Sequence, residues 1–135
     1  MSFNTYPQNP FPPNSENGAI SANKQIADYS TEEQLTGQKW IDGKEIYFKT
    51  IDFGALPNNT IKSVSSGLTN EFIVKMDAYA YKSDAFYPLP FVSVTTLNDC
   101  IRTGYNIGNH TVDVVTSGDK SAISAYITLF YTKTI

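Results

Sequence analysis

The sequence predicts an all-β protein: an antiparallel β-sandwich of jelly-roll-like character, led by a short N-terminal helical turn and an extended N-terminal arm. Three observations carry the prediction. Beyond residue 40, short period-two runs follow one another, separated by turn-forming Gly, Asn, Pro and Ser-Asp. An Asp-Gly pair stands between β-branched and aromatic flanks in "KWIDGKEIYFKT" (39–50), a strong short-range hairpin signal. Nine Tyr and eight Phe suit the pleated, half-buried surfaces of strands. At 135 residues the chain fits one domain with a real core.

The chain divides into an arm, residues 1–29, and a β-sandwich head, residues 30–135. The arm is rich in Asn, Pro, Ser and Gln, as in "PQNPFPPNSENG". Pro12-Pro13 forbids helix and favours extended, polyproline-like chain. Such a segment cannot offset its own ordering entropy, roughly 1–2 kcal/mol per residue for the backbone. It is therefore expected to lie against another protein. Phe3, Tyr6, Phe11, Pro12 and Pro13 are the expected anchors, a fully buried Phe contributing about 1.5–3 kcal/mol.

"YSTEEQLTG" (29–37) follows. Ser30 is placed to cap a helix, Glu33 to reach back to it, and Gly37 to end it, so a turn of helix is predicted over 31–35. In the hairpin, Asp42 and Gly43 suit a two-residue type I′ turn, in which both central residues need φ > 0. Trp40 and Tyr47 are expected to pack as scaffold while Lys44 stays in solvent.

Strand after strand is then predicted. "NTIKSV" (59–64) alternates weakly. "EFIVKMDAYAY" (71–81) sets Phe72, Val74, Met76, Ala78 and Ala80 against Ile73, Lys75, Asp77, Tyr79 and Tyr81. "FVSVTTL" (91–97) and "HTVDVVT" (110–116) are short strands bounded by Pro, Asn and Gly. "ISAYITLFYTK" (123–133) alternates cleanly and carries aromatics on both faces. Either two layers cover it or one face meets another subunit, which makes Tyr126, Phe130 and Tyr131 candidate interface residues.

Composition excludes several classes. A net charge of −3 provides no basic field for nucleic acid. No apolar run approaches the ~20 residues of a membrane helix, and "MSFNTYPQNP" lacks the regions of a signal peptide, so synthesis in the cytoplasm is expected. A single cysteine, Cys100, forbids an intrachain disulfide framework. One histidine, His110, has no second His or Cys pair with which to hold zinc. Neither a nucleophile elbow nor a phosphate-binding glycine loop is present. The carboxylates are scattered without a distinctive pair, and "SGDKS" (117–121) lacks the oxygen pattern of a calcium loop. No cofactor is expected. "DAYAYKSDAFY" (77–87) is the one stretch that suggests ligand contact: Tyr79, Tyr81 and Tyr87 could stack on sugars or pack against a subunit.

Five landmarks in order, "YSTEEQLTGQKWIDGKEIYFKTI", "GALPNNT", "PLPFV", "SGDKS" and "AYITLFYTKT", resemble a small domain of tailed bacteriophages and prophages. That domain often stands at the C-terminal end of tail-fibre or other virion proteins. The resemblance spans about residues 29–134, and W-x-D-G-K-x-x-Y with a terminal Y-T-K is its most specific part. It implies a β-rich head that is trimeric and serves attachment or decoration. The chain departs from the pattern at Ser66-Gly67, where His-Gly is expected, and at Lys120, where Arg is common. A short arm stands where a fibre shaft would.

The resemblance therefore implies a non-enzymatic virion structural protein, a homotrimeric head anchored by its arm to a tail or capsid fibre. Its expected contacts are other virion proteins or a bacterial surface glycan, with no nucleic acid and no membrane. Two alternatives stand beside it. One is a stand-alone carbohydrate-binding module using Tyr79, Tyr81 and Tyr87; the other is a glycan hydrolase with an unrecognised carboxylate pair.

Overall fold

Alternation in the last predicted run puts that run at the centre of the molecule. The computed structural model describes residues 28–96 and 99–134, and in them nine strands form two antiparallel sheets. These are β1 (Gln34–Lys39), β2 (Glu45–Ala55), β3 (Ile61–Ser65), β4 (Phe72–Lys82), β5 (Ala85–Leu89), β6 (Phe91–Val92), β7 (Cys100–Asn106), β8 (Thr111–Thr116) and β9 (Ser124–Thr132). The five-stranded sheet runs β1-β2-β9-β4-β5 and the four-stranded sheet β3-β8-β7-β6. The arm anchors Phe3, Tyr6, Phe11, Pro12 and Pro13 lie outside the described residues.

Strand β9 is the middle strand of the larger sheet, paired along its length with β2 and β4. Its inward residues Ala125, Ile127, Leu129 and Tyr131 are buried and meet Ile101, Val112 and Val114 of the opposite sheet. Removing such aliphatic side chains from water contributes about 1.5–3 kcal/mol each. Two aromatic-bearing faces thus have two different fates. One closes the sandwich and the other looks outward.

Bulges adjust this pattern. In β2 the register shifts between Asp52 and Gly54, and the extra residue, Phe53, is buried in the core. In β4 the shift falls between Ile73 and Lys75. It corrects the predicted faces: Ile73 packs on the core with Met76 and Ala78, while Lys75, Asp77, Tyr79 and Tyr81 share the outer side.

Other expectations are also corrected. Residues 31–33 form a bend and strand begins at Gln34, so no helix forms over 31–35. The capping pair finds other partners. Ser30 Oγ accepts from Glu32 N at 3.0 Å, and Glu33 leaves the local chain for Tyr131 and Lys133. The hairpin forms, but its turn differs. Gly43 has φ +87° while Asp42 does not enter the positive-φ region, Gly43 N donates to Trp40 O, and Trp40 N donates to Lys44 O. This is a three-residue loop, a type I turn followed by a left-handed glycine, steadied by Lys44 N donating to Asp42 Oδ1. Strand 91–97 shrinks to Phe91–Val92. β5 and β7 are not among the predicted strands; each carries a residue that weakens a strand pattern, Pro88 and Gly104. Pro88 is tolerated because β5 is an edge strand.

Candidate functional site: the outer face of the five-stranded sheet

Register alone arranges this face in rows across the strands. Phe48, Phe130 and Lys75 form one row. Thr50, Thr128 and Asp77 form the next, followed by Asp52, Tyr126, Tyr79 and Pro88. Ser124, Tyr81 and Phe86 make the last. A row of small polar side chains therefore lies between two aromatic rows. With a rise near 3.4 Å per residue, those aromatic rows stand about 13 Å apart. The result is a trough of about 720 Å³, walled by Tyr79, Phe86 and Tyr126 on one side and by Tyr29, Ser30 and Thr31 on the other.

The two aromatic rows differ in exposure. Phe48 is only 5% exposed, covered edge-on by Tyr29 at 5.3 Å and stacked on Phe130 at 5.6 Å. Lys75 Nζ lies 4.8 Å from the Phe130 ring centre. That row is capped. The other stays open: Tyr79, Tyr81 and Phe86 are 37%, 38% and 63% exposed. Their rings support one another, Tyr79–Phe86 at 5.1 Å, Tyr79–Tyr126 at 5.9 Å, and Tyr81–Tyr126 at 5.7 Å and nearly parallel. The Tyr126 hydroxyl is held above the ordinary phenol range, first by a side-chain hydrogen bond with Tyr81 and then by the charges of Tyr81 and Asp52.

On the trough floor, the Thr50 and Thr128 hydroxyls share a hydrogen bond of 2.9 Å. Asp77 pairs with Lys75 at 3.3 Å. The Tyr29–Thr31 wall is fixed to the sheet where Thr50 N donates to Ser30 O.

Of the sequence-predicted residues, Tyr79, Tyr81, Tyr126 and Phe130 come together here. Two do not. Tyr87 faces the opposite way, edge-on to Phe91 at 5.0 Å and packed on the core. The two-residue turn after Lys82 makes the odd-numbered residues of β4 share a face with the even-numbered residues of β5. Tyr131 is wholly buried between the sheets, stacked on Tyr47, and forms no part of an outer surface. Trp40 and Tyr47 are both half-buried, and Tyr47 packs against the core. Phe86, Thr50, Thr128 and Tyr29 were not singled out from sequence. The parity of the Ser83-Asp84 turn could have signalled Phe86; the other three depend on long-range register.

His110 adopts φ +58° in the β7–β8 turn, and its carbonyl accepts from Ser66 N and Ser66 Oγ. It is a turn residue. Cys100 is a buried free thiol. Among the described residues, no group of three or more His, Cys, Asp or Glu is placed to hold a metal ion. No helix of the described residues is long and apolar enough to cross a membrane. No protein-family model, curated protein or solved structure matches this chain.

Proposed function

We propose that this chain is a non-enzymatic structural protein of a tailed-bacteriophage virion. In this reading it is a homotrimeric β-sandwich head with a jelly-roll-like wrap. Its N-terminal segment mounts it on a tail or capsid fibre. The outer face of the five-stranded sheet is its contact surface toward the bacterial surface or a neighbouring virion protein.

One observation carries the reading: a continuous cluster of exposed rings in mutual contact on the outer face of the sheet, with no second layer over it among the described residues. An apolar patch of this kind on a small domain marks a contact site. The landmark motifs agree with it in role. W-x-D-G-K forms the hairpin, and the terminal Y-T-K ties β9 to the bend before β1 through Tyr131, Lys133 and Glu33.

The test is mass spectrometry of purified phage particles from a lysogen carrying this gene, with light-scattering mass of the full chain. The expected result is the protein in the particles and a trimer in solution. Its absence from particles overturns the virion reading, and a monomer at micromolar concentration overturns the trimer.

A further inference from the structure

We infer that the trough across the outer face binds a neutral oligosaccharide, stacked on Tyr79 and Phe86 and hydrogen-bonded along the Thr50–Thr128–Asp77 row. This rests on reading the outer face as the contact surface and is independent of where in a virion the protein sits.

Shape comes first. A trough of about 720 Å³ falls within the range of roughly 300–1,000 Å³ typical of small-molecule sites. Its floor is set by register and its walls by ring stacking, so little side-chain freedom remains to be lost on binding.

The chemistry of the lining then selects the ligand. A pyranose ring presents one face of C–H groups and a girdle of hydroxyls. The exposed parts of the Tyr79 and Phe86 rings suit the first. The polar row suits the second. Thr50 and Thr128 spend one donor and one acceptor on each other, which leaves the pair one O–H donor and further lone pairs. Asp77 gives one oxygen to Lys75 and keeps the other to accept from a sugar hydroxyl. A purely apolar peptide would bury this row unsatisfied, at a cost of about 1–3 kcal/mol for each group.

Charge decides between sugars. Asp77 lines the trough and Asp52 borders Tyr126 on the same face. Among the described residues no Lys or Arg lines it, and the neighbouring Lys75 is engaged by Asp77 and by the Phe130 ring. Uronate, sialate and phosphate groups would meet the carboxylates of Asp77 and Asp52 here, with Lys75 already engaged. Neutral hexoses and N-acetylhexosamines carry no charge to oppose them.

The experiment presents the full chain to a panel of neutral hexose and N-acetylhexosamine tri- and tetrasaccharides beside matched uronate- and sialate-containing ones. Affinities come from calorimetry. Neutral members bind, and Tyr79→Ala and Phe86→Ala each weaken the best of them about tenfold, the loss of one stacked ring. Thr128→Val weakens it without loss of the β-sheet circular dichroism signal. Phe72→Ala, an exposed ring at the sheet's far end, changes nothing.

Failure of every neutral glycan to bind overturns the inference. So does preference for the acidic set, or unchanged affinity in Tyr79→Ala. A fall in assembly mass on Tyr79→Ala also overturns it, since the face would then lie between copies of this chain. Lack of glycan binding by a protein found in particles refutes the ligand and spares the virion reading. Glycan binding by a protein absent from particles does the reverse.

Discussion

The Tyr131 hydroxyl donates a 2.7 Å hydrogen bond to Glu33 Oε1, tying the buried end of the last strand to the bend before the first. Lys133 Nζ reaches the other carboxylate oxygen at 2.8 Å. Burial pushes the Glu33 pKa up, but the hydrogen bonds from Lys133 and Tyr131 outweigh it, and the group sits below its ordinary 4.5. Lys133 is raised in turn, chiefly by its hydrogen bond to Glu33. A depressed carboxylate stabilises the fold above its unfolded pKa and loses that contribution as pH falls through the folded one. A raised lysine stabilises below its unfolded value and loses the contribution only above it. The stability gap between the wild type and Glu33→Gln should therefore hold from about pH 5 to 9 and close below about pH 4.5. Urea midpoints across pH measure it, and a gap that widens in acid contradicts the latch.

Tyr131→Phe keeps the stacking on Tyr47 and deletes only the hydroxyl. Hydrogen bonds to charged groups contribute about 1.5–3 kcal/mol, so a loss of that order is expected in equilibrium unfolding. No change would mean that Lys133 alone holds Glu33.

Gly67 and Gly37 separate backbone strain from crowding. Both have positive φ, so alanine at either costs about 1–2 kcal/mol in strain. A Cβ at Gly37 meets nothing within 4 Å, whereas one at Gly67 comes within 2.9 Å of Lys49 Nζ. Lys49 Nζ, the end of a flexible side chain, would have to shift, which disturbs its 2.8 Å bond to Ser66 O. Gly67→Ala should therefore cost more than Gly37→Ala, by up to about 1 kcal/mol, read from thermal or denaturant midpoints. Ser66 is buried and also bonds Tyr105, His110 and Leu68.

How far the sequence could be read follows from the range of each signal. The inward face of β9 was plain, because period-two alternation is local and no bulge interrupts Ala125 to Tyr131. Residues 31–35 read as helix because Ser30 and Glu33 fit a capping box, and only the distant Tyr131 and Lys133 show where Glu33 goes. Tyr87 was grouped with Tyr79 and Tyr81 by proximity in sequence, although the Ser83-Asp84 turn fixes the opposite parity. The trough was not legible at all. Thr50 and Thr128 are far apart in the chain, and nothing local sets Thr50 opposite Thr128.

That pair supplies a test in which stability and binding should part. The Thr50 and Thr128 hydroxyls bond each other at 2.9 Å on neighbouring strands in register. Replacing one by Val leaves the other without its partner, at about 0.5–1.5 kcal/mol. Replacing both removes the need for the bond and puts a good strand former at each position, which is nearly neutral or stabilising. A double-mutant cycle should thus give a coupling of about 1–3 kcal/mol, the sum of the two single losses, with Thr50→Val/Thr128→Val as stable as the wild type. The same double variant has lost the polar floor between the aromatic rows. It should bind neutral oligosaccharide less well than either single variant while unfolding at the wild-type urea midpoint. Retained affinity in the double variant would show that the threonines hold the sheet and take no part in the site.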